Sequence, residues 1–250
     1  MSYQTIQVRF QEPVCFLQFN RPEANNTIND RLIKECRQVL DLCEESITVV
    51  VLEGLPEVFC FGADFQGMAN GHQSEEGPEP LYDLWLKLAT GPYITVSHIR
   101  GKTNAGGMGF VAASDIVIAD QTAQFSLSEL LFGLFPACVM PFLIRRIGFQ
   151  KAHYLTLLTK PISVQQALAW GLVDALDAQS GNLLRTHLLR LRRLSKMGIL
   201  RYKRYINELD NSLRTSKSLA VTANQEVFSD HRNLDGIFRY METGQFPWED

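Results

Sequence analysis

Apolar positions fall in short runs along the first half of the chain and at helical spacing later on. Tyr3–Phe10 and Val14–Asn20 read as two strands, with Gln-Glu-Pro at 11–13 as the turn between them. Asn29 is placed to cap a helix over Asp30–Glu44. Its apolar residues Leu32, Ile33, Cys36, Val39, Leu40 and Cys43 recur at three and four residues, as one buried face requires. Thr48–Glu53 is largely β-branched and ends at Gly54, the pattern of a strand buried on both faces.

A polar, acidic stretch at Asn70–Pro80 cannot bury much and is expected to be a mobile loop near the mouth of a site. A helix over Leu81–Thr90, a strand at Tyr93–Ile99, the glycine-rich segment Gly101–Gly109 and a strand at Asp115–Asp120 follow. Strand, crossover, strand implies parallel pairing and an α/β fold. From about Cys138 the spacing turns helical, with helices expected over Gln150–Leu158, Ser163–Trp170, Gly181–Lys196, Leu200–Leu209 and Leu219–Ser229. Only Leu172–Leu176 looks extended there. The layout is an α/β core over 1–195 and a C-terminal helical extension over 196–250, packed on its own core or on a neighbouring subunit.

Composition narrows the classes. Apolar residues make up 46% and charged residues 20% of 250, which argues for a globular chain over a disordered one. A net charge of −3 offers no basic footprint for nucleic acid or an anionic membrane. No apolar run approaches a membrane span, and the opening MSYQTIQVRFQEP is not expected to be a signal peptide. Five cysteines without a CxxC pair suit reduced thiols and a cytoplasmic location better than disulfides or zinc.

Three segments carry chemistry. Phe59-Cys60-Phe61-Gly62-Ala63-Asp64-Phe65 is a small-residue turn soon after a buried strand. Asn104-Ala105-Gly106-Gly107-Met108-Gly109 follows a strand and opens a helix, where free N–H groups face negative charge. It lacks the Lys-Ser or Lys-Thr of a phosphate loop, and GxGxxG is absent. The third segment places Glu129 among Leu127, Leu130, Leu131 and Phe132, surroundings that favour a neutral acid and proton transfer near neutral pH. Each segment also has a plain reading: a turn, a tightly packed helix, a solvent-facing glutamate. No role follows for His72, His98, His153, His187 or His231. The basic run Arg190, Arg192, Arg193, Arg201 and Arg204 reads as a solvated face, or as a contact for a phosphopantetheine or an acidic carrier protein.

In this order the segments resemble the crotonase (enoyl-CoA hydratase/isomerase) superfamily. The likeness begins at Asn20-Arg21-Pro22-Glu23-Ala24-Asn25 and runs through Gly62-Ala63-Asp64, Gly106-Gly107, Asp115-Ile116 and Gly133-Leu134-Phe135-Pro136. It ends at Ala167–Val173, ALAWGLV. The resemblance implies a spiral of ββα units with a C-terminal helical trimerisation region, and a homotrimer or dimer of trimers. It implies an oxyanion hole made by the backbone N–H groups of Ala63 and Gly106, supported by the dipole of the helix after Gly106. It makes Glu129 the acid–base. The second glutamate of the family's hydratases falls at Gly109, so hydration between two carboxylates cannot be assumed here.

A narrower likeness, in Gly133–Gly148, FCFGADF and Gly109, is to the enoyl-CoA hydratase-like dehydratase of polyketide β-branching cassettes. It implies a lyase that dehydrates 3-hydroxy-3-methylglutaryl to 3-methylglutaconyl on an acyl carrier protein. Coenzyme A as the carrier, a Δ3,Δ2-enoyl thioester isomerase and a non-catalytic binding protein remain open. No cofactor or metal is implied beyond the phosphopantetheine or coenzyme A thioester of the substrate. Asp64 and Asn104 are candidate substrate contacts, although Asp64 could cap the helix it opens and Asn104 could brace its loop.

Overall fold

The computed structural model describes residues 3–70 and 76–249. His72 and part of the loop expected at Asn70–Pro80 lie outside them. A six-stranded sheet takes, in spatial order, β1 (Ile6–Gln11), β2 (Val14–Phe19), β3 (Val49–Glu53), β5 (Ile94–Ile99), β7 (Ile116–Ala119) and β10 (Ala175–Leu176). A four-stranded sheet takes β4 (Val58–Cys60), β6 (Lys102–Asn104), β8 (Gln124–Ser126) and β9 (Ile162–Ser163). Among the described residues only β1–β2 and β8–β9 are antiparallel.

Successive strands alternate between the sheets. β3 goes to the large sheet and β4 to the small one, then α2 (Phe65–Ala69) and α3 (Glu79–Thr90) return to β5. The pattern repeats with β5, β6 and α4 (Gly107–Ala113), and again with β7 and β8. This is the α/β spiral of ββα units expected from the sequence. β3, with Val49 to Leu52 buried on both faces, has the continuous apolar pattern that a covered parallel strand demands.

One core lies between the sheets and α1 (Asp30–Leu42), α3 and α4, and contains Leu32, Val39, Trp85, Phe110 and Phe125. A second core lies on the other face of the large sheet. There Phe16, Val51, Val96 and Ile118 pack against Leu184 and Leu188 of the helix at Ser180–Leu191. Before that helix run α5 (Met140–Ile147), α6 (Phe149–Leu158) and α7 (Val164–Trp170), making it α8.

The helix expected to run to Lys196 stops at Leu191, and α9 (Lys196–Leu209) starts afresh. Ser195 causes the break: its side chain accepts from the Gly198 amide and caps the new helix. The stretch expected to be extended from Leu172 contributes only Ala175–Leu176 to a sheet. Leu172 follows Gly171, a left-handed cap (φ 78°) that closes α7.

Residues 196–220 fasten onto their own core. Lys196 Nζ donates to the carbonyls of Cys43 and Ile47, and Lys203 meets Asp115 at 2.6 Å. After α10 (Ser212–Thr215), Lys217 at the start of α11 (Lys217–Ser229) meets Glu79 and Asp83 of α3. Tyr82 Oη donates to the Leu213 carbonyl at 2.6 Å. The final helix, α12 (His231–Thr243), returns across the front of the molecule to α2 and to a 3-10 turn at Glu129–Phe132.

Candidate active site

β4, β6 and β8 run parallel and side by side, so the turns leaving their C-terminal ends emerge at one edge of the small sheet. Ligand sites of parallel sheets form outside such carboxyl ends. β4 leads into Gly62-Ala63-Asp64, β6 into Ala105-Gly106-Gly107, and β8 into Ser128-Glu129. All three segments singled out in the sequence therefore leave from one edge.

The first two turns touch. A Cβ on Gly62 would lie 2.8 Å from the Ala105 Cβ and 3.4 Å from the Gly106 nitrogen, and the φ of Gly62 is +92°, so only glycine suits the position. A Cβ on Gly107 would sit 2.3 Å from the Cys60 carbonyl oxygen. Ala105, a non-glycine, takes φ 49°, a left-handed conformation that costs about 1 kcal/mol or more.

Ile28 ties the turns together. Its amide donates to the Gly62 carbonyl at 2.7 Å and its carbonyl accepts from the Asp64 amide at 3.1 Å. That bridge passes over the Ala63 amide. The Ala105 amide closes the β6 ladder on Ser126 at 3.1 Å, and the next amide is that of Gly106. Neither the Ala63 nor the Gly106 amide has a hydrogen-bond partner among the described residues.

The two candidate substrate contacts are engaged by the protein itself. Asp64 Oδ1 accepts from the Gly67 amide and caps α2, and Oδ2 meets Arg21 Nη2 at 2.7 Å. Asn104 Oδ1 accepts from Ser126 Oγ at 2.8 Å, and its Nδ2 donates to Ser128 Oγ at 2.9 Å. Asn104 thus braces the residue before Glu129.

Glu129 opens the 3-10 turn Glu129–Phe132, closed by Gly133 at φ 76°. The residue as a whole is partly exposed, but its Oε2 is sealed from solvent and has no hydrogen-bond partner among the described residues. Burial raises its pKa to about 7 against a weaker opposing pull from the amides of Glu129 and Ser128. A buried carboxyl in this condition serves as an acid or a base near neutrality.

Gly109, where the resemblance puts the family's second glutamate, has no room for a side chain. A Cβ on Gly109 would fall 2.3 Å from Cε2 and Cζ2 of Trp85, whose indole fills that space at 1% exposure. Trp85 packs edge-on against Phe110 and Phe142.

Three features escaped the sequence reading: the Arg21–Asp64 ion pair, the indole behind Gly109 and the partners of His98. His98 Nδ1 lies 3.0 Å from Glu53 Oε1 and Nε2 lies 2.8 Å from Ser180 Oγ, joining α8 to the large sheet. Glu53 and His98 stand opposite each other in the β3–β5 ladder, a pairing that spacing along the chain does not reveal. The five arginines of the late basic run are all exposed. Grooves of ≈ 590 Å³ beside Lys203 and ≈ 220 Å³ along α8 include none of the three turns. Among the described residues no three His, Cys, Asp or Glu side chains could hold a metal ion, and no helix is long and apolar enough to cross a membrane.

The chain belongs to the enoyl-CoA hydratase/isomerase family, whose pattern matches residues 9–250. It is an enzyme, a hydro-lyase of thioester substrates. It is 68% identical over its whole length to the bacillaene synthase dehydratase PksH of Bacillus subtilis, covering 98% of that protein. The crystal structure of PksH, described as a polyketide biosynthesis enoyl-CoA hydratase, superposes with a TM-score of 0.95 over 98% of this chain and all of that one. The 2,3-dehydroadipyl-CoA hydratase of Escherichia coli is 30% identical over 66% of each chain. A carnitinyl-CoA hydratase from Mycobacterium avium shares the fold at a TM-score of 0.86 and 22% identity, over 99% of both chains.

Proposed function

We propose that this enzyme dehydrates 3-hydroxy-3-methylglutaryl to 3-methylglutaconyl on an acyl carrier protein in polyketide biosynthesis. The observation that carries the reading is Glu129, whose buried Oε2 has no hydrogen-bond partner among the described residues and whose pKa is raised to about 7, on a turn that leaves the same sheet edge as two free amides. The name and 68% identity of PksH support the polyketide setting.

The α-proton of a thioester is too weakly acidic for an unaided carboxylate. The Ala63 and Gly106 amides donate to the thioester oxygen as enolate charge develops there, and losing one such donor typically costs about 3 kcal/mol of barrier. Glu129 takes the proton from C2. The enolate then expels the C3 hydroxyl, which Glu129 protonates with the same proton. The C2–H and C3–O bonds break, a C2=C3 double bond forms, one water leaves, and the carboxylate is restored. One carboxyl is enough because no water has to be held between two acids, in keeping with the space that Trp85 fills at Gly109.

Intact mass of the hydroxyacylated carrier protein after incubation tests the reading. Loss of one water with the natural chain and none with Glu129→Gln supports it. An unchanged mass together with migration of the double bond in a Δ3-enoyl thioester would point to an isomerase instead. The same substrate offered on coenzyme A decides the carrier.

A further inference from the structure

Arg21 closes a ring around the first turn. Its Nη1 donates to the Thr27 carbonyl at 2.6 Å, and its Nη2 meets Oδ2 of Asp64 at 2.7 Å. Thr27 and Asp64 adjoin Ile28 and Ala63, the two residues of the isolated parallel bridge. The guanidinium and the carboxylate are each 11% exposed, so solvent screens the pair only weakly. A planar guanidinium fixes two partners at a set angle, which an ammonium on a flexible stem does not. Arg21 itself is held, for its amide donates to Asn26 Oδ1 at 2.8 Å, and Asn26 Nδ2 donates to the carbonyls of Val58 and Phe59 on β4. The free Ala63 amide lies between these anchored points.

We propose that Arg21 is a positioning residue for the thioester oxygen: its hydrogen bonds to Thr27 and Asp64 clamp the Ile28–Ala63 bridge and so aim the Ala63 amide. This rests on the reading of Ala63 and Gly106 as the two oxyanion donors. Arg21 touches no reacting atom. Its effect passes through the direction of one N–H bond, and small errors of placement at such a donor are expensive in rate.

The test is the carbonyl stretch of a saturated acyl-coenzyme A thioester bound to the folded protein, read by infrared difference spectroscopy, beside kcat and KM for the hydroxyacyl thioester. The natural chain shifts the stretch to lower wavenumber. Arg21→Lys keeps the charge, loses most of that shift, and lowers kcat roughly 10- to 100-fold with KM changed about threefold or less. The pH dependence of kcat stays in place, because Glu129 is untouched. Asp64→Asn, which keeps the cap on α2, gives a smaller loss of the same kind and carries the test if Arg21→Lys does not fold. A folded Arg21→Lys with the full carbonyl shift overturns the role of Arg21 and leaves the oxyanion reading standing. So does a loss of activity that only follows the folded fraction. If the natural chain gives no shift, the oxyanion reading itself falls.

Discussion

Trp85 stands where a side chain at Gly109 would have to begin, with its Cε2 2.3 Å from the absent Cβ. The departure from a two-glutamate site is therefore built into the packing as well as the sequence. Gly109→Ala is expected to destabilise the fold by roughly 1–3 kcal/mol through overpacking. Gly109→Glu is expected to fold worse and gain no hydration activity. Denaturant unfolding and an enoyl thioester hydration assay measure both effects.

Glu129→Gln should lower kcat by about 10²- to 10⁴-fold with the fold intact, the usual span for a lost acid–base group. In the natural chain the rate of proton removal should rise with pH through about 7, since the ionised carboxylate is the base. Steady-state kinetics across pH 5–9 reads both.

The same carboxyl sets a stability trend. Its folded pKa lies above the value of 4.5 for a free side chain, so the folded chain binds the proton more tightly. Between about pH 4.5 and 7 stability should fall as pH rises, by up to roughly 3 kcal/mol for a shift of this size. Glu129→Gln should remove that slope, matching the natural chain near pH 5 and exceeding it near pH 8 in thermal unfolding.

The aromatic cluster on the turn that Glu129 opens should matter for the same reason. Phe132 packs on Tyr240 and Phe246, and Phe246 stacks on Trp248 with ring centroids 4.7 Å apart. Phe246→Ala should loosen the 3-10 turn, let water reach the carboxyl, and move the midpoint of the pH–rate curve toward the ordinary carboxylate range. A midpoint that stays near 7 would show that the cluster does not shield Glu129.

Asn104→Ala should leave Ser126 and Ser128 without their shared partner. The cost is about 1–3 kcal/mol in stability, together with a fall in kcat as the turn before Glu129 loses its brace. Calorimetry and kinetics on one preparation separate the two effects.

The turns were legible because their chemistry is local. Gly62 and Gly107 stand where a side chain would collide or strain, and Glu129 is a lone acid in an apolar stretch. The strands that aim them were not, since β4, β6 and β8 have three residues each, too few to display a period of two. Long-range partners were hidden as well. Arg21 and Asp64 are 43 residues apart, and Trp85 on α3 reads as an ordinary core position until its ring is seen against Gly109. Nor does local spacing reveal that residues 196–220 strap their own core, for Lys203 and Asp115 meet across 88 residues.

The most direct measurement is hydrogen–deuterium exchange at C2 of a saturated acyl thioester in heavy water, followed by mass spectrometry. Such a substrate has no hydroxyl to lose, so the signal isolates proton removal beside the bound carbonyl. The natural chain should wash deuterium into C2, and Glu129→Gln should leave the thioester at its starting mass. Exchange that persists at full rate in Glu129→Gln would contradict the assignment of Glu129 as the base.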